Sequence, residues 1–402
     1  MDGVSERDLH HERLAEAEIS ATDPHIGWTT GRAAPLELVG DGMGGRVLNV
    51  FQREHTEIVM RDGETFSTSI VGMSMAPFMG PILLGMDGKE HTAYRKLVSP
   101  AFRQSALARW ETKLITPIVT QLLDRLAPLG RADLVADFTA RFPTQVIAGI
   151  MGVPIEDADR FQIWAQQVNS GPLDPEPGLQ AAAEMRDYLA PIVEARRVNP
   201  EEDLISDIVH AEVDGDHLDE EHIFGFLMLL MPAGAETTFR ETGIALLALL
   251  THNGWLQRLS DDPSIIDLVI EETLRWESSA PLVTRIATHD TELGGCPVPE
   301  GTRLMLSMAS ANRDETLCAN GEVWDPNRKT ELPHLAFGLG RHLCLGIHLA
   351  RLEMRIALTA VAERLPNLRL DPAAEPPQLS GVAFRGPESL PVVFDPVSSL
   401  SD

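Results

Sequence analysis

The sequence predicts a mainly α-helical protein with a small β portion, built as a single domain. Two observations carry this. Apolar residues recur at helical spacing through most of 88–276 and again from 345 to about 365, while period-two alternation is confined to short runs. No Pro-, Ser- and Gly-rich stretch divides the 402 residues, so 1–402 is expected to fold as one unit, with 1–25 partly flexible.

Taken in order, the first 25 residues are polar, with an amphipathic turn around Arg13–Ile19. Short strands are expected at 36–39 and 46–51, around the Gly-rich turn of Asp41–Gly45. The Met-, Pro- and Gly-rich segment 66–86 lacks periodicity and reads as an ordered loop. Helices follow at 88–98, 103–127, 139–151, 156–169, 178–197 and 201–211, separated by Pro- and Gly-bearing turns. A long helix spans about 218–252, and another 263–276. After Pro281 the period changes to two: 282–287 and 302–308 read as strands, with Gly294-Gly295 turning between them. A final long helix runs from just after Cys344 to near Leu365, and 380–395 reads as further strand.

Composition excludes several partners. The formal charge is 33 − 60 = −27, which repels nucleic acid and anionic membrane. The longest apolar stretch, Phe224 to Pro232, cannot span a bilayer. The N-terminus has neither a basic start nor an apolar core, so no signal peptide is expected and the cytoplasm is the expected compartment. Cys296, Cys318 and Cys344 are too few and too scattered for a disulfide framework.

One cysteine stands apart. Residues 337–350 read Phe-Gly-Leu-Gly-Arg-His-Leu-Cys-Leu-Gly-Ile-His-Leu-Ala, with three glycines ahead of an amphipathic helix whose Leu345, Leu349, Leu352 and Ile356 share a face. Cys344 sits near the helix start, where free N–H groups and the dipole favour a thiolate. A thiolate can ligate haem iron and favour O–O cleavage. Alone, such a cysteine reads equally well as an inert buried residue, and a thiol nucleophile is a third possibility.

Phe337-Gly338-x-Gly340-x-His342-x-Cys344-x-Gly346 resembles the haem-binding signature of the cytochrome P450 family, bacterial soluble type. The resemblance implies a cytochrome P450-like fold with haem b (iron protoporphyrin IX) between the long central helix and the cysteine loop. It implies Cys344 as the metal ligand, Phe337 and Gly338 beside the proximal haem face, and His342 at a haem propionate.

Further motifs follow in family order. Ala233-Gly234-Ala235-Glu236-Thr237-Thr238 resembles the oxygen-activation motif. Gly234 is expected to leave space beside the iron. Thr237, four residues after Ala233, can bond back to that carbonyl, widen the turn and donate toward dioxygen, while Glu236 supports proton delivery. Read by spacing alone, the same segment is an ordinary helix with surface Glu and Thr. Pro232 lacks the N–H that would bond to the Met228 carbonyl, so a kink or water insertion is expected there. Glu272-Thr-Leu-Arg275 resembles the family's Glu-x-x-Arg pair, and Val323-Trp324-Asp325-Pro326-Asn327-Arg328 the segment whose arginine completes a buried structural network. His91 and Arg95 share a helix face, Arg285 lies in a strand, and by resemblance all three clamp the propionates.

The same resemblance maps a distal pocket onto 66–86, part of 156–185, Phe226–Ala233, Ala280–Thr284 and Val382–Phe384. Met73, Met75, Phe78, Met79, Leu229, Leu230, Leu282 and Val283 make this lining apolar, which implies a hydrophobic small-molecule substrate. No flavin, nicotinamide or iron–sulfur motif is present, so electrons are expected from a separate ferredoxin and its reductase, docking on Arg103, Arg109, Arg341, Arg351 and Arg355. The expected activity is a monooxygenase that inserts one oxygen atom from dioxygen by hydroxylation or epoxidation, acting as a monomer. The alternatives are a peroxide-driven haem-thiolate enzyme, a haem-based sensor or binding protein, and a haem-free thiol enzyme. The Glu236–Thr237 pair disfavours the first two, since neither needs it.

Overall fold

A computed structural model describes residues 23–40, 45–213, 215–316, 318–329 and 332–397. The turn expected at Arg13–Ile19 and most of the Asp41–Gly45 turn lie outside them. The central helix, Glu220–Thr251, organises the body. Its residues from Ile223 to Leu249 are buried on nearly every side, which a helix tolerates only when other elements surround it. The helices Phe142–Met151, Ala158–Ser170 and Ile347–Arg364 pack against it, and one hydrophobic core runs through them all. Asp219 caps the helix by accepting from the His222 N–H at 2.9 Å. The helix runs unbroken through Pro232, whose missing N–H removes one bond without ending it. The kink or water insertion expected there does not interrupt the helix.

A five-stranded sheet carries the second, smaller core. Its strand order is Leu38–Gly40, Arg46–Val50, Arg303–Ser307, Leu282–Ala287 and Phe66–Ser67. Only the Arg303–Ser307 and Arg46–Val50 pair is parallel, as expected of strands far apart in the chain. The 380–395 region resolves into three short strands. Leu379–Ser380 and Gly386–Pro387 form a hairpin, and Pro391–Val393 lies between Arg369–Leu370 and Arg131–Asp133.

Three features depart from the sequence reading. First, 66–86 is not a loop: it holds the strand Phe66–Ser67, the helix Ser69–Met79 and a 3₁₀ turn at Leu83–Gly85. Gly72 and Pro77 masked the helical period, and close backbone contacts hold the helix instead. A Cβ at Gly72 would lie 3.0 Å from the Gly85 carbonyl oxygen. Second, the single helix expected at 103–127 divides into Gln104–Trp110, a π-helical turn at Glu111–Ile115, and Thr116–Leu126. Pro117 opens the last piece and cannot bond back, and the wider turn absorbs the mismatch. Third, the helices His25–Ala33, Arg53–Arg61 and Trp255–Asp261 were not foreseen.

The long irregular stretch between Asn312 and Arg328 is pinned by a buried ion network. Arg275 donates to both Glu272 oxygens, at 2.7 and 2.8 Å, and to the carbonyls of Asn312, Gly321 and Val323. Arg328 joins Glu272 at 3.2 Å, the Asp325 N–H adds a 2.8 Å bond, and buried Trp324 donates to Thr273 at 3.1 Å. Glu272 and Arg275 side chains are each 5% exposed, so removing one charge strands the others. Glu272→Gln is therefore expected to lower the unfolding free energy by about 3–5 kcal/mol in denaturant titration. A change below about 1 kcal/mol, the value of a surface pair, would show that the network is not buried in solution.

Candidate active site

The Cys344 loop owes its shape to two glycines in the left-handed region. Gly338 has φ 72° and Gly340 φ 75°, and a Cβ on Gly340 would press to 2.8 Å from the Met60 carbonyl oxygen. The Cys344 N–H donates to the Phe337 carbonyl at 2.9 Å and closes the loop. The following helix begins only at Ile347. Cys344 thus precedes the helix rather than starting it, and the expected dipole stabilisation does not prevail. Burial pushes the thiol's pKa up, against smaller lowering by the Gly346 N–H, Arg95 and Arg351. Cys344 is nonetheless exposed by surface area. Both hold for a group on the wall of an internal hollow, enclosed by protein without being packed over. Phe337 is half-buried beside it, with the Arg351 guanidinium 4.6 Å from its ring centre.

The central helix turns one stripe of incompletely buried residues outward from its core: Leu229, Ala233, Gly234, Glu236, Thr237 and Arg240. The Thr237 hydroxyl donates to the Ala233 carbonyl at 2.9 Å. Glu236 is engaged by Arg240 at 2.6 Å. A Cβ on Gly234 would meet Ile147 at 3.1 Å, so the glycine also lets the central helix pack closely against Phe142–Met151.

Four cationic or donor side chains gather at the loop's edge. The His91 and His342 rings lie 4.2 Å apart. Burial, with the charges of His342 and Arg95, lowers His91 to about 4, and its buried Nε2 has no partner. Arg285 is buried and donates to the Thr284 carbonyl, and burial lowers its pKa to about 10. Arg95 donates to the Arg341 and Leu343 carbonyls at 3.2 and 2.6 Å, bracing the cysteine loop. Asp87 answers these charges. Burial opposes its ionisation, but bonds from His342, Ser67 and the Thr68 N–H hold it at about 2. An unpartnered imidazole nitrogen beside an underused arginine is what a group with two carboxylates requires, so the residues present fit the haem that the sequence implies.

The apolar residues expected in the pocket divide. Met75, Leu229, Leu282 and Val283 are half-buried and Met73 is exposed. Phe78, Met79 and Leu230 are buried core residues. Phe78 fills the space over two glycines: a Cβ on Gly171 would fall 2.5 Å from its ring. The expected basic docking patch is also smaller. Arg351 pairs with Glu271, Arg355 with Asp267, and Arg109 stands 4.0 Å from Asp207. Arg103 and Arg341 are exposed, with Lys89 and Lys96 on the adjoining helix.

Among known proteins, residues 176–380 match the family model described as Cytochrome P450. The chain is 37% identical over 318 residues to the polyketide biosynthesis cytochrome P450 PksS of Bacillus subtilis, covering 78% of each. It is 34% identical to the steroid C26-monooxygenase of Mycobacterium tuberculosis, covering 80% of this chain and 82% of that one. The solved structure of PksS superposes with a TM-score of 0.87 at 32% identity, over 94% of this chain and 98% of that one.

Sequence reasoning missed Asp87, Arg240 and the buried acid Glu241, one turn beyond Thr237. Glu236, Thr237, Thr238, Arg240 and Thr242 around it are polar too, so no local signal in the sequence sets Glu241 apart. One Glu241 oxygen accepts from the Ser279 N–H at 2.7 Å and the other has no partner. Burial, with the Glu277 carboxylate adding, raises it to about 8. The folded chain holds this proton while the unfolded chain releases it above the ordinary value, so the stabilisation is full below about 4.5 and lost as pH rises toward 8. Wild type is expected to lose a few kcal/mol of stability across that window, and Glu241→Gln to flatten the curve. Parallel thermal unfolding curves between pH 5 and 8 for the two proteins would contradict this.

Proposed function

The chain belongs to the cytochrome P450 family, and on that premise we propose how its own residues carry out the family's chemistry. The chain is a haem-thiolate monooxygenase. Haem b is the cofactor proposed, with Cys344 as its axial ligand and His91, His342 and Arg285 as its propionate partners. Arg95 braces the ligand loop in the same region. When bound, the haem supplies the metal at which dioxygen is activated and one oxygen atom passes to substrate. The whole chain, 1–402, is proposed to act as one cytoplasmic domain and as a monomer.

The Thr237 hydroxyl spends its own hydrogen on the Ala233 carbonyl, so its oxygen is left to accept and orient a proton delivered toward the reacting oxygen. Its bond to the Ala233 carbonyl fixes the hydroxyl on the accessible face of the central helix. Glu236 lies one residue back and is held by Arg240. Proton supply from Glu236 requires that carboxylate to leave the guanidinium and turn toward Thr237. The half-buried apolar residues Met75, Leu229, Leu282 and Val283 support a hydrophobic substrate, bound by shape and by exclusion of water. Electrons are proposed to come from a ferredoxin and its reductase, meeting the chain at Arg103 and Arg341.

The observation that carries this reading is the Thr237–Ala233 bond on the one accessible stripe of a buried helix. Thr237→Ala is expected to retain haem and ligand binding but to divert reducing equivalents to peroxide, lowering product per electron pair by about tenfold or more. Wild-type coupling in that variant would remove Thr237 from the mechanism. A panel of hydrophobic compounds, titrated against the haem spectrum, is expected to reveal the substrate class by displacement of iron-bound water.

A further inference from the structure

We infer that Arg385 is a positioning residue for substrate selectivity: by locking the hairpin tip Val382–Phe384 to the Ala280–Thr284 segment, it fixes the width of the pocket between them. This rests on the haem-thiolate reading, whose family resemblance makes those segments pocket walls, and it adds the element that holds them together.

The hairpin joins Ser380, paired with Gly386, across five residues, 381–385. Its base is seated on the central helix. A Cβ on Gly386 would press to 3.0 Å from Arg240, and one on Gly243 to 3.1 Å from Pro387. The tip has no comparable packing, since Ala383 and Phe384 are exposed and Val382 is half-buried. Arg385 supplies the anchor. The residue is 2% exposed. Its Nε donates to Glu277 at 2.8 Å, its Nη1 to the Gly381 carbonyl at 3.3 Å across the loop's neck, and its backbone N–H to the Ser279 carbonyl at 2.8 Å. Gly381 makes the tight neck feasible, with φ 97° and no Cβ to strike the Phe384 carbonyl.

The other end of this anchor is equally fixed. Glu277 is 2% exposed and also accepts from His25 at 2.9 Å and from Arg313 at 3.2 Å. Those contacts overcome burial and hold the carboxyl below its ordinary range. Ser279, two residues on, is bonded to Glu241 of the central helix. The chain therefore leaves a charged, immobile point at Glu277 and reaches Leu282 and Val283 five and six residues later. The Glu277 carboxylate, with the backbone bond from Arg385 to Ser279, ties both walls to one place, and no lining residue takes part.

The test uses two probes that bind haem iron through the same nitrogen, imidazole and 4-phenylimidazole. The first fits without touching the walls, whereas the second places a ring between them. Arg385→Gln is expected to weaken 4-phenylimidazole about tenfold while changing imidazole less than about twofold, as loss of one well-fitted apolar contact does. Phe384→Ala, which leaves the buried ions intact, is expected to change the ratio of the two affinities alike. The double variant is expected to change it no further. An unchanged ratio in Arg385→Gln, or an additive double variant, overturns the inference. Should Arg385→Gln fail to fold, an unchanged ratio in Arg385→Lys together with one in Phe384→Ala overturns it too. A wild-type protein with no spectral response to imidazole would instead refute the haem-thiolate reading itself.

Discussion

A thiol enclosed by protein and yet open to a hollow is the constraint on which the rest of this structure depends. Burial raises the pKa of Cys344, and the nearby arginines and the Gly346 N–H only partly offset it. Left to itself such a group stays protonated. A metal ion at the sulfur changes this, because coordination removes the thiol proton outright. The loop is therefore built to present sulfur rather than to ionise it. Two left-handed glycines shape the loop, the Phe337 carbonyl closes it, and Arg95 braces two of its carbonyls.

Charge is distributed around that hollow with little waste. The chain carries a formal charge of −27, but His91, His342, Arg95, Arg285 and Arg351 gather beside the cysteine loop, with Asp87 and Glu271 opposing. Elsewhere buried charges occur in closed sets, Glu272 with Arg275 and Arg328, and Glu277 with Arg313, Arg385 and His25. Each set spans a stretch of chain with little regular structure. Irregular backbone near a cofactor cavity lacks a ladder of its own hydrogen bonds, and a buried carboxylate with several donors supplies a fixed point in its place.

The sequence made the helical body and the cysteine segment readable for different reasons. Helices such as Gly88–Val98 and Ile347–Arg364 bury one face, so their periodicity is plain. The cysteine segment combines Gly, His and Cys at fixed spacing, and each residue type there answers a local demand of geometry or charge. The helix Ser69–Met79 was illegible because apolar residues are spread around it without a period, with Gly72 and Pro77 among them and Phe78 and Met79 buried at its end. The contact of Gly234 with Ile147 was not legible, because spacing says which residues share a face, not which neighbour meets them. Nor was the burial of Phe78 and Leu230, since apolar character is common to core and pocket lining. The Arg385–Glu277 pair joins residues 108 apart, and nothing local in either segment announces the other.

The most direct measurement is the absorption spectrum of the reduced, haem-loaded protein under carbon monoxide, taken for wild type and Cys344→Ser. The account requires the Soret band of wild type to move to the long-wavelength position diagnostic of a thiolate ligand, and requires Cys344→Ser to lose that band. A wild-type band at the shorter wavelength typical of a neutral or histidine ligand, or a long-wavelength band that survives in Cys344→Ser, would contradict it.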